Sequence, residues 1–179
     1  YGAGKGGPPG APPPVPFQDM RELDLYGTVD GAVCTLDGLN HLCRTKELRE
    51  VFRRLRLFIE PGGLFLFDVN TPYKHRQVLA DNAFVFEPDD FLCVWRNRLM
   101  ERTCEVDMQL DFFVPQDAEG VRYRRLTDAV RERAYTERTL RRLLEQEGFE
   151  TLAVFADLSR EPVRPDTERA VYAVRRRPG

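Results

Sequence analysis

Residues 45–70 read TKELREVFRRLRLFIEPGGLFLFDVN, and this stretch decides the fold. Leu48, Val51, Phe52, Leu55, Phe58 and Ile59 recur at the i, i+3, i+4, i+7 spacing, so they share one face of a helix that begins at Thr45. Thr45 carries a hydroxyl suited to an N-cap, and Glu47 and Glu50 suit the positive end of the helix dipole. Glu60-Pro61-Gly62-Gly63 then stops the helix, because proline cannot continue it and paired glycines favour a turn. Leu64 to Val69 follows as an apolar run without alternation. That predicts a strand covered on both faces, as in a parallel sheet with helices on each side. Asp68 and Asn70 bring polar chemistry to the carboxyl end of that strand.

Toward the amino end, Val29 to Leu36 reads as a second short strand, with Gly31, Ala32 and Cys34 small enough for close packing. Asp37-Gly38-Leu39-Asn40-His41-Leu42 reads as a loop entering a helical turn. Val15 to Met20 reads as a further short strand, and Arg21 to Tyr26 as a charged connector. Residues 1–14 are dominated by Gly and Pro and have almost nothing to bury, so they are expected to be disordered. The Gly2-Ala3-Gly4-Lys5-Gly6 run invites comparison with a phosphate loop but lacks the flanking strand, the helix and the Ser or Thr after the lysine.

Toward the carboxyl end the pattern changes after Tyr73. Phe91 to Leu99 is strand-like around Trp95. Cys104, Val106, Met108, Leu110 and Phe112 alternate with Glu105, Asp107, Gln109 and Asp111, the pattern of a half-exposed antiparallel strand. Pro115 to Gly120 is a hairpin-like loop, and Val121 to Leu126 and Ala129 to Tyr135 continue the meander. Arg122, Arg124, Arg125, Arg131 and Arg133 are interleaved with apolar and acidic residues, which fits a solvated sheet face better than an anion site. Thr136 caps a last helix carrying Leu140, Leu143 and Leu144, with Gly148 as its stop. Thr151–Ala156 and Arg169–Arg175 are two strands whose connecting loop, Leu158 to Glu168, suits an antiparallel hairpin at a sheet edge.

The chain has 179 residues, 42% hydrophobic and 31% charged, which suits one soluble domain with a proper core. A formal net charge of -2 gives no electrostatic case for nucleic acid or for a membrane surface. No apolar run approaches the roughly 18 residues of a membrane span, and a cytoplasmic location is the expectation. Cys34, Cys43, Cys93 and Cys104 form no CxxC pair, and with His41 and His75 the only histidines, no metal site is expected.

The order of these motifs resembles one family. Gln18-Asp19-Met20-Arg21-Glu22-Leu23, Val29-Asp30-Gly31-Ala32-Val33, Asp37-Gly38-Leu39-Asn40-His41-Leu42, the run from Pro61 to Tyr73, Arg133-Ala134-Tyr135-Thr136 and Glu147-Gly148-Phe149 stand in the order and spacing of the class I S-adenosylmethionine-dependent methyltransferases. The likeness is greatest to small bacterial members with a β-rich insertion after the family's fifth strand, and it runs from about Val15 to Arg176. It implies an α/β fold: an incomplete Rossmann-like methyltransferase sheet formed by residues 15–80 and 134–179, a C-terminal antiparallel hairpin, and an antiparallel β insertion over residues 81–133 that acts as a substrate lid. It further implies S-adenosyl-L-methionine as cofactor and a small-molecule acceptor.

In such a fold the ligand lies across the carboxyl ends of the parallel strands. By the resemblance, Asp19 and Met20 would meet the adenine, Leu36 and Asp37 the sulfonium end, and Asn40, Asn70, Tyr73 and Trp95 the acceptor. His41 or Asp37 would serve as general base where the acceptor needs one. Each also has a plain structural alternative: Asp19 as a turn cap, His41 as a packed or solvated histidine, Trp95 as core. Asn70-Thr71-Pro72-Tyr73 superficially resembles the Asn-Pro-Pro-Tyr signature of amino-methylating enzymes but follows the wrong strand for it.

The family's opening strand, glycine-rich turn, helix and acid-ending second strand have no counterpart here; residues 1–14 stand in their place. Three expectations follow: a truncated or frame-shifted copy of a complete enzyme, which the Gly/Pro-rich start favours; one half of a split enzyme whose partner chain supplies the missing strands; or a non-catalytic remnant acting as a binding module. The loss of two central strands would leave Val33 and Phe65 facing solvent or a partner.

Overall fold

Helix α1 (Thr45–Phe58) passes into a strand at Ile59 with no separate turn between them. The computed structural model describes residues 17–117, 121–157 and 159–178; the Gly/Pro-rich segment 1–14, with its phosphate-loop-like run, lies outside them. Arg44, rather than Thr45, occupies the N-cap, and Glu47 accepts a hydrogen bond from the Arg44 backbone N–H at 3.0 Å. One turn of the chain is thereby satisfied from the N3 side chain, so no capping hydroxyl is needed.

Two strands run parallel, β1 (Val29–Cys34) and β2 (Ile59–Asn70). Val29 pairs with Ile59 and Gly31 with Leu64, so Glu60-Pro61-Gly62-Gly63 swings out of the ladder as an extended bulge inside β2. These four residues were expected to separate helix from strand; instead they lie within the strand. Gly62 has a φ of 84°, and a methyl group at Gly63 would sit 2.6 Å from the Asp30 carbonyl oxygen. Only glycine fits the second position.

Two further strands complete this sheet after a second helix. Helix α2 (Glu137–Gln146) is capped by Thr136, whose Oγ1 accepts from the Thr139 N–H, and ends before Gly148 at φ 81°. Strands β7 (Phe149–Ala156) and β8 (Arg169–Arg176) pair antiparallel, and β8 also pairs antiparallel with β2. The order is β1-β2-β8-β7. The expected terminal hairpin is therefore present, with β7 at the edge and β8 inserted next to β2.

Both helices pack on one face of the sheet. Leu48, Val51, Phe52 and Leu55 of α1 and Leu140, Leu143 and Leu144 of α2 join Phe65, Phe67, Val69, Phe149, Tyr172 and Val174 in one buried cluster. Phe67 stacks on Tyr172 at 4.8 Å and on Phe65 at 4.9 Å, and Phe52 meets both phenylalanines from the helix. Such aromatic pairs add to area burial, about 0.5–1.5 kcal/mol each.

The opposite face is open, which corrects the expectation that β2 is covered on both sides. Leu64 and Leu66 are 44% and 39% exposed and Val33 is 68% exposed. Phe65, expected at the open face beside Val33, is instead only 1% exposed, because its parity in β2 turns it toward α1. The strand expected over Val15–Met20 is also absent where it is described: Phe17–Asp19 is irregular and Met20–Glu22 forms a 3-10 turn.

A second sheet has the order β3-β4-β5-β6 and is antiparallel throughout: β3 (Ala83–Phe86), β4 (Leu92–Met100), β5 (Glu105–Pro115) and β6 (Tyr123–Arg133). Strand β6 is continuous where two segments were expected, and β3 has no counterpart in the sequence reading. Asp111, expected on the wet face, is 2% exposed because Arg96, Arg125 and Thr127 close over its carboxylate. A π-helical turn (Lys74–Leu79) links the sheets, burying His75 and Leu79. Among the described residues no helix is long and apolar enough to cross a membrane.

Candidate functional site

The chain leaves β1 through two successive residues in the left-handed region, Leu36 at φ 58° and Asp37 at φ 52°. Neither is glycine or asparagine, so this backbone carries strain, and strain of this kind is held only where the surroundings fix it. Here they do. The Asp37 N–H donates to Asp68 Oδ2 at 3.1 Å, and its carboxylate accepts from Asn70 Nδ2 at 2.8 Å and from Arg169 Nη2 at 3.2 Å. Arg169 also makes a close ion pair with Asp68. All of these groups lie where β1 and β2 end and β8 begins, at the carboxyl ends of the two parallel strands. One guanidinium thus holds two carboxylates, which leaves the cluster net negative.

Asn40 sits under this cluster with no exposed surface. Its Oδ1 accepts from the Asn70 N–H at 2.9 Å, and its Nδ2 donates to the carbonyls of Asn70 at 3.1 Å and Arg133 at 3.0 Å. With both amide hydrogens and its oxygen engaged, Asn40 has nothing left to offer an acceptor; it ties the Gly38–His41 turn to β2 and β6. Asn70, 2% exposed, bridges Asp37 and Glu132 with its own amide nitrogen and accepts from Lys74 Nζ at 2.9 Å.

Glu132 is the second centre. It is 4% exposed, on β6, and both histidines of the chain turn toward it. His75 Nε2 is 3.6 Å from Glu132 Oε2, and His41 Nε2 is 3.9 Å from Oε1. His75 is fully buried and His41 is half exposed.

Asp19, Met20 and His41 share a cleft of about 360 Å³ that Gln18, Arg21, Leu42 and Glu47 also line. Asp19 caps the 3-10 turn by accepting from the Arg21 N–H at 2.8 Å, and the Arg21 guanidinium grips the same carboxylate. These bonds hold the exposed Asp19 carboxyl down at about 2, so it stays ionised. Leu36, 77% exposed, borders a separate apolar hollow of about 520 Å³ with Val33, Leu66, Asp68, Arg169 and Val171.

Two sequence-expected residues stand apart. Tyr73 lines a smaller recess of about 190 Å³ with Thr71, Tyr135 and Thr167. Trp95 packs against Phe84 at 5.2 Å and Phe86 at 6.2 Å, in the apolar cluster of the second sheet with Leu79, Val106 and Met108. The structure thus brings Asp37, Asn40, His41 and Asn70 together, sets Asp19 and Met20 across the cleft from His41, and leaves Trp95 in a local core. Among the described residues no group of three His, Cys, Asp or Glu side chains could hold a metal ion.

Sequence reasoning placed Asp68 at the strand end without a partner and missed Lys74, His75, Glu132 and Arg169. For Glu132 a signal existed: it shares a face of β6 with Val130, and an acid at an inward position of an alternating strand asks for a partner. For His75 and Arg169, no spacing in the sequence points to their partners.

No family model matches the chain. A protein of Geobacillus sp. (strain WCH70) named as a methyltransferase is 28% identical over 159 residues, 89% of this chain and 64% of that relative. YqeM of Bacillus subtilis (strain 168), also named as a methyltransferase, is 27% identical over 156 residues, 87% of this chain and 62% of its own length. The crystal structure of an S-adenosylmethionine-dependent methyltransferase from Clostridium acetobutylicum ATCC 824 superposes with a TM-score of 0.81 at 29% identity, covering 90% of this chain and 63% of that one. The chain therefore spans a little under two thirds of these relatives. In sequence and in fold the chain is similar to S-adenosylmethionine-dependent class I methyltransferases.

Proposed function

We propose that this protein takes part in methyl transfer from S-adenosyl-L-methionine to a small-molecule acceptor. The observation that carries the reading is the Leu36–Asp37 corner: two consecutive left-handed residues at the end of a parallel strand, fixed by Asp68, Asn70 and Arg169. Open α/β sheets bind ligands at that end, and stored backbone strain marks functional positions. The cleft beside it suits a flat amino-bearing ring, since Met20 and Leu42 supply apolar surface and the Asp19 carboxylate an acceptor. The bound cofactor would supply an electrophilic methyl group on a sulfonium. The chain's own residues orient the partners and exclude water, Asp37 placing negative charge near the cation and His41 standing ready to take a proton. The second sheet stands over the acceptor side and sets acceptor choice, through β6, which supplies Glu132. Four free thiols accord with a reducing cytoplasmic setting.

Titration of the 15N-labelled chain with S-adenosylmethionine and with S-adenosylhomocysteine tests the reading. Saturable shifts at Met20, Leu36, Asp37 and His41 are expected; no shift at any of them with millimolar ligand would overturn it.

A second reading is favoured by the exposed face of Val33, Leu36, Leu64 and Leu66 and by an edge of β1 that pairs with no strand among the described residues. That surface fits further strands and an apolar helix, supplied by a longer form of the chain or by a separate polypeptide; without them the protein acts as a binding module. Mass analysis of the natively expressed protein distinguishes the two sources, and a monomeric chain of this length that binds S-adenosylmethionine alone would dismiss both.

A further inference from the structure

The second sheet buries one face and leaves the other open. Val106 and Met108 turn inward onto Leu79. Residues of the opposite parity turn outward. Arg98 of β4, Asp107 of β5 and Arg131 of β6 stand in one register row, and both guanidiniums donate to the Asp107 carboxylate. Arg96 and Arg125 hold Asp111 in the same way. Each trio carries one positive charge in excess. Glu105 offsets one of these on the β6 side, 4.0 Å from Arg131, so the remaining excess falls toward Arg96 and Arg98. A shallow hollow of about 690 Å³ opens here, floored by Gln109 and Ala129.

Toward the β3–β4 turn the same face changes character. Val85 and Val94 are register partners on it, and Val85 is 64% exposed. The turn itself reads Glu87-Pro88-Asp89-Asp90, exposed throughout. No Lys or Arg stands between Arg76 and Arg96, and among the described residues none of these three acids makes an ion pair. Along β4 the order is therefore acids, an apolar patch, then cations. A surface of that order is complementary to itself after half a turn, which is the requirement of an isologous interface.

We propose that the outer face of the second sheet binds a second copy of this chain, with the twofold axis along the register row Val85–Val94–Asp111–Thr127. Asp90 and Arg98 each stand four residues from Val94, so the acidic turn of one copy lies over Arg98 and Arg96 of the other. Tyr123 and Arg131 each stand four residues from Thr127, so the exposed ring of one copy meets the guanidinium of the other. The two valines of each copy meet at the centre, and each Asp111 reaches the axis with its own two arginines. Sheets packed face to face lie about 10 Å apart, a gap that arginine and acidic side chains bridge. The arginines are already held by their carboxylates, so little side-chain freedom is lost on docking. The four strands present about 600 Å² in plan, at about 4.8 Å between strands and 3.4 Å per residue. With the docked turns added, that approaches the roughly 800 Å² per partner of a stable interface. An apolar centre with a charged rim is the anatomy of such interfaces.

Sedimentation equilibrium of the full chain reads the association, and it needs no ligand. A dimer is expected, and added salt should weaken it because the rim pairs are exposed. Arg98→Glu and Asp90→Arg should each raise the dissociation constant by at least about tenfold through like-charge contact. Mixing the two single variants, or joining both changes in one chain, restores each contact with its sign reversed and should return the affinity toward that of the wild type. A folding fault could not be rescued by mixing, so the swap keeps the test decisive. Val33→Thr with Leu66→Thr, on the other sheet, should leave the dimer unchanged. A monomeric wild type would overturn the proposal and leave the face to an acidic segment of another protein. A dimer that survives Arg98→Glu, or single variants that mixing does not rescue, would overturn it as well.

Discussion

The side chain of Asn40 and the main chain of Asn70 form a two-way clip, Asn40 Oδ1 accepting from the Asn70 N–H at 2.9 Å and Asn40 Nδ2 donating to the Asn70 carbonyl at 3.1 Å. The clip fixes the end of β2, and with it the Asn70 amide that reaches both Asp37 and Glu132. Replacing Asn40 by Leu keeps the volume and removes every bond, leaving buried backbone groups unpaired at about 1–3 kcal/mol each. The expected loss of stability is about 3 kcal/mol, read as a lower urea midpoint at unchanged slope. Asn40→Asp retains the acceptor alone and should fall between. A loss within about 0.5 kcal/mol for Asn40→Leu would show that the clip is not what holds the site.

The bulge in β2 makes its two glycines unequal. Gly62 is in open space at φ 84°, so Gly62→Ala meets only the left-handed penalty, about 1–2 kcal/mol. Gly63→Ala would place its methyl within 2.6 Å of the Asp30 carbonyl, 2.7 Å of Ile59 Cγ2 and 2.9 Å of the Glu60 carbonyl. Backbone atoms cannot step aside cheaply, so the strand pairing at Gly31 and Leu64 must shift. Gly63→Ala is expected to be the more destabilising of the two in thermal melts. The reverse order would mean that the bulge is not held at this register.

Which parts of this were legible in the sequence follows from the range of the forces involved. Helix α1 was readable because Leu48, Val51, Phe52 and Leu55 repeat at a period set by the helix itself, and α2 because Thr136 and Gly148 mark its ends locally. The open face of β2 was not readable, because Leu64 and Leu66 look the same whether or not anything covers them. At the site, the resemblance set Asp37 and Asn70 at strand ends, and that position was legible. The ion pair between Asp68 and Arg169 was not, since it spans the β2–β8 ladder and depends on a strand order that hydropathy does not encode. Trp95 was set in the acceptor pocket on the resemblance, whereas its strand parity turns it onto Phe84 and Phe86.

Acid should loosen the second sheet through Asp111. Thr127 donates to its carboxylate at 2.8 Å, Arg125 at 2.8 and 2.9 Å, and Arg96 at 2.5 Å, and these bonds hold the carboxyl below its ordinary 3.8. Asp107 is held down likewise, first by Arg131 and then by Arg98. A folded value below the unfolded one means that the contribution is complete above 3.8 and fades as pH falls through the folded value. The urea midpoint of the wild type should therefore drop below pH 3.8 more steeply than that of Asp111→Asn, and the gap between them should be flat at neutral pH. A gap independent of pH down to the acid transition would remove Asp111 as its source.

The exposed apolar face gives a test that needs no ligand. Val33 is 68% exposed, Leu66 39% and Leu36 77%, around a hollow of about 520 Å³. Side chains that bury little in the folded chain contribute little to its stability, so Val33→Thr with Leu66→Thr should change the folding free energy by no more than about 0.5 kcal/mol per site. The same pair should cut the binding of an apolar fluorescent dye and raise solubility, because a contiguous patch of this kind drives association. Phe65→Thr, one residue away but 1% exposed among Phe52, Phe67 and Phe149, should cost about 3–5 kcal/mol and serves as the contrast. A large loss in the Val33/Leu66 pair, growing weaker on dilution, would instead show that a second copy of the chain already covers this face.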